Sequence, residues 1–234
     1  MSIRMIAAGL FAVFVPPAVA EDFTIVSKTR FGEKQGTQTV CLTPARMKTS
    51  GGGSDSIVEF ASGQMTFLDG EKKTYYVTSM AEMTAYARHR EEQAGTSGFN
   101  AREFGGLGEV AARKTGKTRQ IAGTACTEWV FTMGEALGFE VCVAPTLPVP
   151  PAYFDARKAA YAGMGPMGRH FEKMFEAVRK ASGFPLALAM HVKMESMKQE
   201  SLTEASEVKR GAIPAATFEV PADFTKKKSP FAPG

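Results

Sequence analysis

The chain has one tryptophan, three histidines and three cysteines among its 234 residues. It has no apolar run approaching the roughly 20 residues that a membrane-crossing helix needs. Histidine and cysteine stand at no zinc-ligand spacing, and no calcium-loop pattern is present. No G-x-S-x-G surrounds any serine, and Ser97, in Thr96-Ser97-Gly98, lacks the strand that a nucleophile elbow requires. Gly116-Lys117-Thr118 has the end of a P-loop, but the first glycine would have to stand where Ala111 does, so a basic turn is the better reading. Gly105-Gly106-x-Gly108 precedes a strand rather than a helix and fails as a dinucleotide loop. The carboxylates are scattered beside lysine and arginine, as on a solvated face. These absences argue against an enzyme, and we assign no catalytic residue, cofactor or metal.

What is present begins at the N-terminus. Arg4 precedes the apolar run Ile6 to Val15, which Pro16-Pro17 break before Ala18-Val19-Ala20. A charged start, a short apolar stretch and a small-x-small site predict a signal peptide, residues 1–20, cut after Ala20. No cysteine follows the cut, so we expect a soluble periplasmic or secreted protein and no lipid anchor. Removing Arg4 lowers the formal charge from +4 to +3. Interspersed charges of that size give no argument for nucleic acid. The remaining length suits one domain, residues 21–225. The basic cluster Lys226-Lys227-Lys228 opens a flexible C-terminal tail, residues 226–234.

Short runs rich in Val, Ile, Thr, Phe and Tyr between glycine turns predict an antiparallel meander from Asp22 to Thr78. Ser79 followed by Glu82 is a capping box opening the first helix, and Gly95 to Gly108 is a loop. Val110–Lys114 and Thr118–Ile121 read as a hairpin around Gly116. A second hairpin, Thr124–Thr132 with Leu137–Ala144, places Cys126 and Cys142 eight residues on either side of Gly134. In an oxidising compartment these two predict a disulfide, with Cys41 left over as a small buried hydrophobe. After the proline-rich Pro145 to Pro151 come two helices, Ala152–Ala162 and Pro166–Ala181. The second carries one stripe of Met167, Phe171, Met174, Phe175 and Val178. Leu186–Ser196 alternates cleanly, with Leu188 and Met190 on its apolar side. Ser201–Lys209 reads as an outer strand, and Thr217–Val220 closes the domain.

Four stretches resemble one known family of exported bacterial proteins, the domain of unknown function DUF4412. They are Val40–Met47 (VCLTPARM), Ile57–Phe67 with Lys72–Tyr76 (KKTYY), Ile121–Trp129 (IAGTACTEW), and Ser201–Phe224. Cys41 and Cys142 depart from that pattern. The family is similar in outline to the LolA/LolB lipoprotein carriers, in which a strongly curved antiparallel sheet wraps around helices and encloses an apolar cavity. The resemblance therefore implies a hydrophobic ligand.

The expected architecture is α+β: one strongly curved antiparallel sheet, an open half-barrel of about eight to eleven strands, with three helices packed on its concave face. The leading functional expectation is a non-enzymatic protein binding an acyl chain or a lipidated partner in that concavity. Its lining would be Phe67, Tyr75, Met80, Met83, Met167, Phe171, Met174, Leu188 and Met190, with the helix Met167–Val178 as a movable lid. The same residues would serve equally to fill a core, making a structural or interaction protein for an unknown envelope partner. A third reading takes Met164, Met167, His170 and Met174 as soft copper(I) ligands. Methionine stripes at helical spacing usually fill a core instead.

Overall fold

The structure is a computed structural model and describes residues 21–94, 109–162, 166–193 and 198–232. The expected signal peptide, the expected loop from Gly95 to Gly108 with Ser97 and its glycine trio, Met164 and Met194 lie outside the described residues.

Among the described residues twelve strands form one sheet, one more than the top of the expected range. The first six are β1 (Phe23–Phe31), β2 (Lys34–Leu42), β3 (Arg46–Gly51), β4 (Ser54–Glu59), β5 (Gln64–Asp69) and β6 (Thr74–Ser79). They are a plain meander, each antiparallel to the next. Helix α1 (Met80–Ala94) follows. A second meander is built from β7 (Val110–Ile121), β8 (Thr124–Met133), β9 (Leu137–Ala144), β10 (Phe184–Lys193) and β11 (Lys198–Arg210). Helices α2 (Pro151–Ala162) and α3 (Pro166–Lys180) are inserted between β9 and β10. The two meanders join where β1 pairs with β11, so the seam of the sheet is made by the first and last long strands.

Ser201–Lys209 is therefore no outer strand, because its polar sequence is paired on both sides by β1 and β10. Exposed side chains on a two-sided antiparallel strand report which face is wet, not where the strand lies in the sheet. The hairpin expected at Gly116 is also absent. β7 is one strand with a bulge between Lys114 and Thr118, and Gly116 takes φ +82° within it. Thr115 holds the bulge: its Oγ1 accepts from Lys117 N at 3.1 Å and donates to Glu128 O at 3.2 Å. The turn lies at Ala122-Gly123, both left-handed at φ 48° and 74°, as a two-residue hairpin demands. Thr217–Val220 is not a strand either; a short 3-10 turn, Ala215–Phe218, follows Pro214 there.

Alternation sorts the strands into two faces. On one face Phe23, Ile25, Val40, Leu42, Val58, Met65, Phe131, Phe139 and Leu186 join Met83 of α1, Phe154 of α2 and Met174 of α3 in a single apolar cluster. On the other face Ile57 and Leu68 meet Phe218, flanked by Cys41, Tyr75, Ile213, Val220 and Phe224. The C-terminal segment thus straps the back of the first meander. It continues as β12 (Thr225–Lys226), which pairs in parallel with β6 and makes the sheet mixed. Beyond the lysines read as a flexible tail, Phe231 returns to the helix side and packs on Tyr76 and Tyr86.

The expected disulfide is present, with Cys126 and Cys142 5.4 Å apart at Cα. The hairpin register pairs Glu128 with Cys142, so the bridge crosses the ladder diagonally.

Candidate functional site

The helix-covered face is the place where the predicted site residues meet. α1 starts as its sequence requires: Ser79 Oγ accepts from Glu82 N at 3.1 Å, and Glu82 Oε2 accepts from Ser79 N at 2.8 Å. Thr78 Oγ1 donates to the same carboxylate at 2.9 Å. That bond, with the one from Ser79, lowers the Glu82 pKa below the ordinary value. The helix so anchored carries Met83 into the cluster and lays Met80 beside it.

α2 and α3 form a helical pair clamped along its outer side. Lys158 Nζ lies 2.6 Å from Glu176 and 3.5 Å from Asp155, and Arg179 lies 4.0 Å from Asp155. The hydrogen bond from Lys158 holds the Glu176 carboxyl low, and the same bond raises the lysine. Among the described residues no ion pair ties either helix to the sheet; those ties are rings. Phe171 of α3 stands edge-on to Phe139 of β9 at 5.8 Å and stacks under Tyr161 of α2 at 4.6 Å. Tyr153 of α2 rests on Phe184 of β10 at 5.7 Å, and Phe184 meets Phe23 at 5.4 Å. At the end of α3, Gly183 takes φ +146°, and a Cβ there would collide with the Ala144 carbonyl oxygen. Only glycine lets the chain leave the helix and enter β10 so close to β9.

Of the predicted lining, Met83, Phe171 and Met174 are buried in this cluster, and Phe67, Met80, Leu188 and Met190 pack against it half-buried. Tyr75 does not join them. It alternates to the back face and lies in the cluster under the C-terminal strap. Met167 is in the first turn of α3, but its side chain, like that of His170, is outside the described residues. The fourth residue of the Met/His pattern, Met174, is 1% exposed and serves as core.

Three residues of this face were missed from sequence. Trp129, half-buried, stacks on Phe131 at 6.3 Å. Phe31, at the end of β1, is 57% exposed. The register puts it beside Ser201, which faces Met190, which faces Phe139, so one row crosses four strands on the helix side. Alternation along β1 continues from Phe23 to Phe31, which is the signal that could have found it. The third is Arg157, whose Cζ lies 5.3 Å from the Tyr153 ring centroid. Tyrosines four residues before and after it, in a stripe otherwise apolar, were the available signal.

Elsewhere the surface clefts mix charged and apolar lining, among them one of about 570 Å³ between Phe67, Tyr75, Tyr76 and Pro230 with Glu71 and Lys72. One of about 60 Å³ is lined by Arg119, Glu128 and Glu140 over Cys142, with Arg119 Nη2 bound to Glu204 at 2.7 Å. Another, of about 720 Å³, is lined by Lys28, Arg30, Thr37 and Glu204. Among the described residues no three His, Cys, Asp or Glu side chains group as metal ligands. No described helix is long and apolar enough to cross a membrane.

No curated protein matches the chain. Several solved structures are similar to it at low identity. An uncharacterized conserved protein from Thermus thermophilus is 10% identical, with 90% of this chain and 92% of that one covered and a TM-score of 0.49. The MucA/MucB complex of Pseudomonas aeruginosa gives 11%, 88%, 57% and 0.46 for the same quantities. A domain named for outer membrane lipoprotein sorting, from Vibrio parahaemolyticus, gives 8%, 85%, 89% and 0.30. The model of a family described as a domain of unknown function matches residues 43–224, and the chain belongs to that family, DUF4412.

Proposed function

We propose that this protein is exported through residues 1–20 and acts, without catalysis, as an envelope protein that binds a hydrophobic ligand between its helix layer and its sheet. The ligand is an acyl chain or the lipid of a lipidated partner. One observation carries the reading. The apolar cluster under the helices is flanked by large apolar side chains that keep some solvent-facing surface: Phe67, Met80, Trp129, Leu188 and Met190, with Phe31 exposed at the end of β1. Partly exposed apolar side chains gathered against one cluster favour a binding role over isolated surface residues. Unbranched thioethers at its margin suit ligands of variable shape.

The cover can move for a physical reason. α2 and α3 are bound to each other by directional ion pairs and to the sheet by ring and apolar contacts that carry no such directionality, so the two helices move as one unit. The full burial of Phe171 and Met174 favours a second reading, in which the core is closed and the exposed margin meets a partner protein.

Native mass spectrometry of gently purified protein separates the two. A reproducible added mass that organic solvent removes, and that proves to be lipid, is the expected result. A bare chain mass that stays unchanged after incubation with lipid refutes ligand binding and leaves the interaction role.

A further inference from the structure

Resting on the ligand-binding reading, we infer that the ligand is an anionic amphiphile whose carboxylate or phosphate head is bound by Arg157. Arg157 lies midway along α2, four residues from Tyr153 and four from Tyr161. Tyr153 points at the sheet and Tyr161 at the rings of α3, so both lie on the packed side of α2. Tyr153, 3% exposed, packs on Phe184 of β10, and Tyr161 stacks on Phe171, which itself rests on Phe139 of β9. A residue one helical turn from each shares their face, so the guanidinium is turned inward beneath α2. It keeps a partial opening to solvent while protein crowds its head group.

Its neighbours on α2 are paired: Asp155 and Lys158 meet each other and Glu176 and Arg179 of α3. Arg157 has no carboxylate within 4.0 Å among the described residues; its partners are two tyrosines, Tyr153 through its ring face at 5.3 Å and a side-chain hydrogen bond, and Tyr161 through a weaker electrostatic contact, none of which carries a full counter-charge. An arginine cannot shed its proton to escape burial. Charges taken from water are retained when they are paired, and a ring face offsets only part of that cost. A guanidinium also presents a planar fork that fits carboxylate and phosphate through two parallel bonds. The missing counter-charge and the unfinished apolar row are therefore two ends of one ligand. Its head sits at Arg157, and its chain lies along Tyr161 toward Leu188 and Met190.

The test is isothermal titration of the wild-type protein with three probes of equal chain length: decanoate, decyl phosphate and decanol. A charge-assisted bond predicts that at least one anion binds about tenfold or more tightly than decanol. Preference for decanoate identifies a fatty-acid head, and preference for decyl phosphate a phospholipid one; either supports the inference. In Arg157→Met the anion-to-alcohol ratio should collapse toward one, and in Arg157→Lys it should stay partly above it. Should Arg157→Met fail to fold, the wild-type ratio and the lysine variant decide. Equal affinities for all three probes, or a preference that survives Arg157→Met, overturns the assignment and leaves the binding reading standing. Failure of every probe to bind overturns that reading and the assignment with it.

Discussion

Replacing Phe171 with alanine tests whether α3 is docked on the sheet as the geometry requires. The side chain is 6% exposed, stands edge-on to Phe139 at 5.8 Å and is stacked by Tyr161 at 4.6 Å. Emptying a buried phenylalanine site costs roughly 3–5 kcal/mol, of which each ring pair supplies about 0.5–1.5 kcal/mol. At about 2–4 °C per kcal/mol for a chain of this size, the melting temperature should fall by roughly 6–20 °C. Phe175, half-buried beside Tyr161 at 5.5 Å, is the internal control and should cost less than half as much. Urea unfolding followed by the fluorescence of Trp129, the one tryptophan, reads both, because its ring stacks on Phe131 in the same cluster. If α3 opens as a unit, Phe171→Ala should also speed hydrogen exchange in α3 more than in β9. A loss below about 1 kcal/mol, well under the range for a buried ring, or equal losses for the two variants, would refute the docked arrangement.

Three further outcomes follow from other contacts. The Cys126–Cys142 bridge closes a separation of 16 residues, so the double alanine variant should lose about 3 kcal/mol in urea unfolding; an unchanged midpoint would show that the strand register suffices without the bond. Glu176 is held low by the hydrogen bond from Lys158, so its contribution is present above the ordinary carboxylate range and is lost as pH falls through its folded value. Lys158 is raised by the same bond, so its contribution persists through neutral pH and is lost only on the alkaline side. Protection of α3 amides should accordingly be flat around neutrality and decline in acid, by the small amount an exposed pair carries, and Glu176→Gln should abolish the decline. Phe231→Ala removes ring contacts at 5.3 and 6.1 Å from Tyr86 and Tyr76. It should cost about 1–2 kcal/mol and bring the Tyr76 hydroxyl, now raised by burial, back toward the ordinary tyrosine pKa in an ultraviolet titration.

Local chemistry was legible and tertiary placement was not. Ser79 and Glu82 announced the start of α1 because a capping box is satisfied within four residues. The stripe on α3 was readable because period and burial coincide: Phe171, Met174 and Val178 all face inward. Alternation along β10 and the cysteine hairpin were local in the same sense. The failures needed partners from far away. Gly116 looks like a turn, but Thr115 folds it into a bulge by reaching β8. The polarity of β11 suggested an edge, yet β1, some 180 residues earlier, covers it, as the bond from Ser206 to Val26 across that interval shows. Tyr75 differs from its neighbour Tyr76 only in parity, and parity could not be tied to a face until the strap over Leu68 was seen. Arg157 escaped because an arginine on a helix is ordinarily a solvated one; only the rings on either side disclose which way it points.

The topology separates a helical cover from a hydrogen-bonded floor. α1 leaves the sheet after β6, while α2 and α3 leave it between β9 and β10, and all three lie on one face. The back of the first meander is closed by the C-terminal strap. Beneath the cover β9 and β10, which meet it through Phe139 and Phe184, are each hydrogen-bonded on both sides, so Leu188, Met190 and Phe139 are held by ladders that a ligand does not have to break, and α3 also runs close over β7 and β8. The cover is held differently, by rings against the sheet, by α1 packed against α2, and by Lys158–Glu176 within itself. Lifting α2 and α3 together would then break no strand pairing and carry Arg157 with them. A head group bound to that guanidinium would move with the cover while its chain slid along Leu188 and Met190, so charge and chain would be released by one motion.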